Sequence, residues 1–174
     1  MARVKLLQKE DVDPMVKEIF QKVEDSGNEV INLLKALAHS PKICRDWNRL
    51  GVTLLLKGEF SPKLRELAIL RVGNLAKANY EWTKHVPMAL ETGANQEQID
   101  ELSDWVNSTK FNEQERAVLL YTDEVSQNIR VSDDTFSKIR NFLSEREIIE
   151  LTVTIGYYAM VCRTLEALQI ELEH

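Results

Sequence analysis

The sequence is poor in cysteine, and the cysteine that it has is not arranged for redox chemistry. Its two cysteines, Cys44 and Cys162, lie far apart in the chain and form no Cys-x-x-Cys pair. Isolated cysteines of this kind are usually small buried residues of a protein whose thiols are kept reduced. A reactive thiol, or a contact between the two cysteines, is the alternative interpretation.

An excess of positive charge is also missing, because the formal net charge at pH 7 is −6. Proteins that bind nucleic acids do so largely through a basic surface that neutralises phosphates. The charge balance therefore argues against nucleic acid as the main partner.

Long apolar runs and a secretory leader are absent as well. No apolar run in the sequence approaches the roughly 20 residues that a membrane span needs, and residues 1–10 contain no secretory core. We therefore expect a cytoplasmic protein with no membrane partner.

Strand signals are equally scarce, since residues 151–158 are rich in β-branched side chains but have no turn signals on either side.

What the sequence does contain is a series of helix starts followed by apolar residues at helical spacing. A capping residue followed by proline occurs at positions 13–14, 40–41 and 61–62, and capping boxes begin at Asn112 and Ser144. With 174 residues, 44% hydrophobic and 29% charged, the chain can form one soluble domain with a real core. We predict an all-α, compact multi-helix bundle over residues 1–174, with N-terminal helices in 1–58 and the main core in 61–174.

The stretch 61–93 organises this bundle. Ser61 can cap a helix, Pro62 suits the first helical position, and Gly93 suits a left-handed residue just beyond a helix end. The pattern predicts two helices broken near residues 74–79. Pro87 lies within the second of them and removes one backbone hydrogen bond there.

Glu81 and His85 are four residues apart, so on a helix their side chains lie on one face within reach of each other. A carboxylate beside an imidazole favours the imidazolium and fixes its tautomer, as a proton donor near neutral pH requires. A solvated surface pair or a satisfied core histidine is the structural alternative.

Three separated runs carry a family resemblance: residues 65–72, residues 80–89 followed by Gly93, and residues 155–163. Together they resemble the carboxymuconolactone decarboxylase family, which includes the alkylhydroperoxidase D-like proteins. The resemblance extends over most of the chain from about residue 40. It implies the helical fold of that family for residues 61–174.

The chain departs from the peroxidase branch of this family, in which a Cys-x-x-Cys pair, a downstream His and an upstream Glu form a redox relay. Glu66 and His85 match the Glu and the His, but Ala78 and Glu81 stand where the cysteines would be. A disulfide relay needs two neighbouring thiols, so this chain cannot run that relay at this site. The Tyr-Glu-Trp version at residues 80–82 resembles instead the decarboxylase-like branch, whose chemistry is proton transfer.

That resemblance implies roles for particular side chains. His85 would be the general acid, Glu81 would orient its ring and hold its charge, and Glu66 would bond the same network or share a proton with Glu81. Tyr80 and Trp82 would line the substrate pocket, although either aromatic side chain could equally belong to the core.

An anionic substrate would also need a guanidinium group to bind its carboxylate. Arg71 and Arg163 are the candidates because each lies in a family-like run, and a structural ion pair is the alternative for both. Glu66, Glu81 and His85 could offer ligands to a metal, but one histidine and two carboxylates make a poor set. We expect no metal and no cofactor.

Three functional hypotheses follow. The first is a cofactor-free lyase of the carboxymuconolactone decarboxylase type, acting by proton transfer or decarboxylation on a small carboxylated or carbonyl compound. The second is an alkylhydroperoxidase or peroxiredoxin-like antioxidant protein that uses Cys44 or Cys162. The third is a non-catalytic helical oligomer. The family resemblance also implies a homo-oligomer, a trimer or a hexamer.

Overall fold

The computed structural model describes residues 1–173, and the fold is all-helical throughout that range. His174, the last residue of the predicted domain, lies outside the described residues. The described part of the chain forms nine α-helices and a 3₁₀ turn at Leu102–Asp104. In chain order the helices are α1 Pro14–Asp25, α2 Asn32–Leu37, α3 Pro41–Leu56, α4 Pro62–Ala76, α5 Asn79–Glu91, α6 Gln96–Glu101, α7 Glu113–Asn128, α8 Asp133–Arg140 and α9 Glu145–Leu168.

The helices fall into two compact units, one made of residues 1–56 with 164–173 and the other of residues 57–163. The sequence suggested a different division, with everything from residue 61 onward in the core. The end of the chain instead joins the N-terminal helices, because the Arg3 backbone N–H donates to the Leu168 carbonyl at 2.8 Å and the Asn32 side chain donates to the Glu171 carbonyl at 3.0 Å. Such contacts between distant segments leave no local signal in the sequence.

The unit of residues 1–56 and 164–173 has its own apolar core. Asp13 caps α1 through a hydrogen bond from the Met15 N–H, as its position before proline predicts. Val16, Phe20 and Cys44 are buried together in this core. The Cys44 thiol is therefore a packing group, and burial raises its pKa to about 11.

The unit of residues 57–163 is built around α4, which is buried along nearly its whole length from Leu64 to Gly73. This helix packs against α5 and α7. Its Leu67 and Leu70 join Leu102 and Leu119 in a fully buried apolar core. Because α4 has no wide solvent face, the charged residues that it carries are buried as well, and each must find a partner inside the protein.

The break between α4 and α5 is a tight two-residue turn. Lys77 takes a left-handed conformation with φ 55°, and Ala78 donates its N–H to the Gly73 carbonyl at 2.9 Å. Gly93 has φ 101° after α5, as its residue type predicts. Ser61 does occupy the N-cap position of α4, but its side chain makes no capping hydrogen bond, so that part of the prediction was wrong.

One helix among residues 1–173, α9, is long and apolar enough to cross a membrane by length and composition. No such helix was expected from the sequence. Half of its most apolar stretch is buried inside the protein, a property shared with core helices of soluble proteins.

Candidate active site

A cluster of four charged side chains connects α4 to α5. Arg65 and Glu66 come from α4, and Glu81 and His85 from α5. Each has at most 7% of its surface exposed, and Glu66 has none. The short turn at Lys77 and Ala78 brings these two helices together, so residues 15 to 20 positions apart in sequence become neighbours in space.

The imidazole of His85 lies between the two carboxylates. Its Nδ1 lies 2.7 Å from Oε2 of Glu66, within hydrogen-bond distance, and its Nε2 lies 3.3 Å from Oε2 of Glu81. A carboxylate only accepts hydrogen bonds, so an N–H on both ring nitrogens, as in the imidazolium, satisfies both contacts. The shorter contact fixes the ring, while the longer one leaves Nε2 less firmly held.

Arg65 completes the chain of contacts on the other side of Glu66. Its Nε donates to Oε1 of Glu66 at 3.2 Å, and its Nη2 lies 3.2 Å from the same oxygen. The two oxygens of Glu66 are thus divided, one serving Arg65 and the other His85. Glu66 is thereby fully engaged, as a buried carboxylate must be.

These neighbours determine the charge of His85. Burial disfavours the imidazolium, but the hydrogen bonds and negative charges of Glu66 and Glu81 outweigh that effect and raise the pKa of His85 to about 9. At neutral pH the ring is therefore the charged, proton-donating form. A buried titratable group with specific charged partners is the kind of group found in active sites.

Two tyrosines of α9 border the cluster. The ring of Tyr158 meets His85 edge-on, with 4.9 Å between the ring centroids, and Tyr157 meets Tyr158 in the same manner at 5.3 Å. Burial, together with the charge of Glu81, raises the pKa of both phenols above the usual range. They therefore stay neutral beside the charged groups.

Three members of this cluster were predicted from the sequence, and the others were not. Glu66, Glu81 and His85 are brought together as the spacing and the family resemblance suggested. Arg65 and Tyr158 were not singled out. Arg65 could have been predicted, because it is next to Glu66 on a helix that is buried on all sides. The approach of Tyr158 to His85 depends on tertiary packing and has no local signal in the sequence.

The two aromatic residues proposed as pocket lining occupy different surroundings. Tyr80 is buried, and Lys84 lies over its ring at 5.9 Å from the centroid. Trp82 is partly buried and packs with Val86 against the apolar core around Leu67. Trp82 thus has the packing of a core residue, which was the alternative interpretation of this position.

Arg71 lies on α4 but not in the cluster around His85. Its guanidinium makes hydrogen bonds of 2.6 and 2.9 Å with the two carboxylate oxygens of Asp123, and further bonds with Asn74 and the carbonyls of Leu102 and Ser103. The proposed role in substrate binding does not fit this geometry, because the donors that a substrate would need are already engaged. The structural ion pair is the interpretation that fits, although its partner is Asp123.

Arg163 and the two cysteines are not among the four charged side chains of the cluster. Arg163 is exposed on α9, while Tyr158 and Cys162 are buried on the same helix. Neither Cys44 nor Cys162 forms a disulfide. Within residues 1–173, no group of three or more His, Cys, Asp or Glu side chains has the arrangement of a metal site.

A cavity of about 620 Å³ opens elsewhere in the same unit, between α7, α8 and the residues around Trp105. Leu120, Phe142 and Lys138 contribute to its lining, but none of the four charged residues around His85 does. The charge cluster and this cavity are therefore separate features. Titratable chemistry favours the cluster as the candidate active site.

Solved structures with the same helical arrangement define the class of fold. A peroxidase-related protein of Ralstonia eutropha, described as an alkylhydroperoxidase AhpD core, superposes with a TM-score of 0.85 at 15% identity, over 99% of this chain and 92% of that chain. A peroxidase-related protein of Silicibacter gives 0.83 at 16% identity, over 99% and 92%. The debrominase Bmp8, as a cysteine-to-alanine variant with 2,3,4-tribromopyrrole, gives 0.81 at 19%, over 99% and 94%. The protein therefore has an alkylhydroperoxidase D-like fold.

The family assignment rests on the sequence itself. Residues 41–124, a segment that contains Glu66, Glu81 and His85, match the model of the carboxymuconolactone decarboxylase family. The resemblance inferred from the motifs is thereby confirmed, in the variant that has no Cys-x-x-Cys pair. No curated protein matches the sequence.

Proposed function

We propose that the protein is a cofactor-free enzyme that transfers protons on a small carboxylated or carbonyl compound, as a decarboxylase-like member of its family. The observation that carries this proposal is the position of the His85 ring, which Glu66 holds at 2.7 Å and Glu81 more loosely, at 3.3 Å. One firm and one loose contact is what a proton donor needs, because the ring is fixed while one N–H can be redirected to a substrate.

In a decarboxylation, the bond between the carboxyl carbon and its neighbour breaks, CO₂ leaves, and the electron pair remains on the substrate as an enolate. Nε2 of His85 then donates its proton to that carbon, and solvent restores the proton to the ring. In an enolisation, the Glu81 carboxylate takes the α-proton while Nε2 of His85 donates to the carbonyl oxygen. Glu66 stays bound to Nδ1 throughout and stabilises the charge on the ring.

The test is a screen of β-keto acids, lactones and carboxylated lactones in D₂O, with NMR detection of CO₂ loss and of α-proton exchange. His85→Ala should abolish any turnover found with the wild type while the helical circular dichroism is kept. His39→Gln is the matched control, because His39 lies in the other unit and is exposed. Turnover that survives in His85→Ala would rule out this assignment.

A second candidate function is thiol peroxidase chemistry, and the peroxidase-related proteins among the similar structures favour it. Two features of this chain weigh against it. Ala78 and Glu81 replace the cysteine pair, and burial holds Cys44 in the thiol form at neutral pH. A Cys44→Ser, Cys162→Ser double variant that keeps full peroxide turnover would exclude this candidate, and loss of turnover would support it.

The non-catalytic alternative treats the same cluster as structural, so that Glu81→Ala and His85→Ala would cost stability and nothing else.

The proposal further includes cytoplasmic location and a homo-oligomer, a trimer or a hexamer, with neither nucleic acid nor membrane as a partner. Sedimentation velocity of the purified chain tests the oligomeric state directly.

A further inference from the structure

The charges of the four-residue cluster cancel. Arg65 and the imidazolium of His85 are positive, while Glu66 and Glu81 are negative, and all four side chains are buried. The neighbouring phenols of Tyr157 and Tyr158 add no charge, since burial and Glu81 raise their pKa values. A molecule that binds here therefore enters a buried site whose net charge is zero.

The contacts also determine which ring nitrogen of His85 can donate a hydrogen bond to a substrate. Nδ1 of His85 is committed to Glu66 at 2.7 Å, and Glu66 is in turn held by Arg65. The other nitrogen, Nε2, lies 3.3 Å from Glu81. Any substrate group that accepts a hydrogen bond from Nε2 must therefore come to lie beside the Glu81 carboxylate.

A substrate carboxylate in that position would bring a second negative charge next to Glu81. Both cations of the cluster are already matched by Glu66 and Glu81, so the additional charge would be buried without a partner, at a large cost in binding free energy. A ketone or lactone oxygen would accept a hydrogen bond from the Nε2–H group, and the net charge of the site would stay at zero. Arg71 gives no relief, because its guanidinium is engaged by Asp123.

We propose that the site takes an uncharged carbonyl compound and that Glu81 is the specificity-determining residue that excludes carboxylate anions. This inference rests on the proposed proton-transfer function and narrows its substrate class from carboxylated or carbonyl compounds to neutral ones. The expected reaction is then enolisation or isomerisation of a neutral ketone or lactone, rather than decarboxylation of a carboxylate bound next to His85.

The experiment measures binding and needs no turnover. The probes are γ-butyrolactone and its 5-carboxylate, which share a ring and a carbonyl and differ in charge. Each is titrated into the wild-type protein while the Nε2 resonance of His85 is followed by ¹⁵N NMR. The lactone should shift that resonance, and the carboxylate should bind at least about tenfold more weakly.

Glu81→Gln supplies the second measurement. With the negative charge removed, the preference should reverse or vanish, so that the affinity for the carboxylate rises about tenfold relative to that for the lactone. The comparison of the two probes in the wild type stands by itself if this variant folds poorly. His39→Gln should reproduce the wild-type preference.

Equal or tighter binding of the carboxylate to the wild type would overturn the inference, and so would a lactone that leaves the His85 resonance unmoved. An unchanged ratio in a folded Glu81→Gln protein would show that Glu81 does not set the specificity. These outcomes are distinct from failure of the proposed function, which would appear as surviving turnover in His85→Ala.

Discussion

Helix α4 carries two buried charge clusters that look alike by burial and differ in chemistry. Near its start, Arg65 bonds to Glu66, which bonds to His85 and through that ring reaches Glu81. Arg71, less than two turns further on, bonds to Asp123, which also accepts from Nε1 of Trp105 at 3.0 Å. Both arginines are at most 8% exposed.

The difference lies in what can titrate. The Arg71 cluster pairs a guanidinium with a carboxylate, at 2.6 and 2.9 Å, and includes no imidazole. The His85 cluster contains a ring that can release a proton and one loose contact of 3.3 Å. A buried ion pair is thus weak evidence of function by itself, and a buried pair that includes an imidazole is stronger evidence.

The largest effect should come from breaking the cluster that we regard as structural. Arg71→Met leaves the Asp123 carboxylate without its cation, and the free energy of unfolding should fall by about 3–5 kcal/mol. Urea denaturation measures this change. The ¹⁵N titration of His85 in the same variant should match that of the wild type, because Arg71 bonds to Asp123, whereas Glu66 and Glu81 hold the ring.

The control is Arg71→Met, Asp123→Asn, in which the buried charge has been removed together with its partner. Part of the lost stability should return, because no unpaired carboxylate is left inside the protein. A His85 titration that moves substantially in Arg71→Met would show that the two clusters are coupled, and the separation between a structural and a functional cluster would then be wrong.

The contacts of one cluster could be predicted from the sequence, and those of the other could not. Glu81 and His85 share a helix at a spacing of four residues, so their contact follows from helical geometry alone. Asp123 lies 52 positions beyond Arg71, and only the packing of α4 on α7 brings them together. Both arginines lie in the same family-like run, so their positions in the sequence offered no basis for assigning Arg71 rather than Arg65 to the site.

The fold shows the same division between local and long-range information. Proline after a capping residue, capping boxes and Gly93 located most helix ends. The left-handed residue between α4 and α5 is Lys77 rather than glycine or asparagine, so the sequence indicated a break without its form. The return of residues 164–173 to the N-terminal helices depends on contacts between chain ends and had no local signal.

A smaller effect should appear in the pH dependence of stability. The pKa of His85 rises from about 6.5 in the unfolded chain to about 9 in the folded protein. Below about pH 6.5 both states are protonated and the full stabilisation, on the order of 3 kcal/mol, is present. Between about pH 6.5 and 9 the unfolded chain loses its proton first, so this stabilisation declines, and it is gone above that window.

Urea denaturation at several pH values from 6 to 9.5 checks this prediction. His85→Gln removes the titrating ring, and the difference in stability between wild type and variant should shrink as the pH rises through the window. His39→Gln should keep the wild-type decline. A constant difference between wild type and His85→Gln across the range would show that the ring does not change its protonation there.

The smallest effect separates the two carboxylates around His85. Removing a negative partner disfavours the imidazolium, so both Glu66→Gln and Glu81→Gln should lower the pKa of His85, by about two units and about one unit respectively. Glu66 should matter more because its contact is shorter, 2.7 against 3.3 Å, and because its loss leaves the Arg65 cation unmatched beside the ring. A ¹⁵N titration measures both. Equal shifts, or a larger shift in Glu81→Gln, would mean that Glu66 is not the firmer partner, and Nε2 would then no longer be the nitrogen that is more readily available to a substrate.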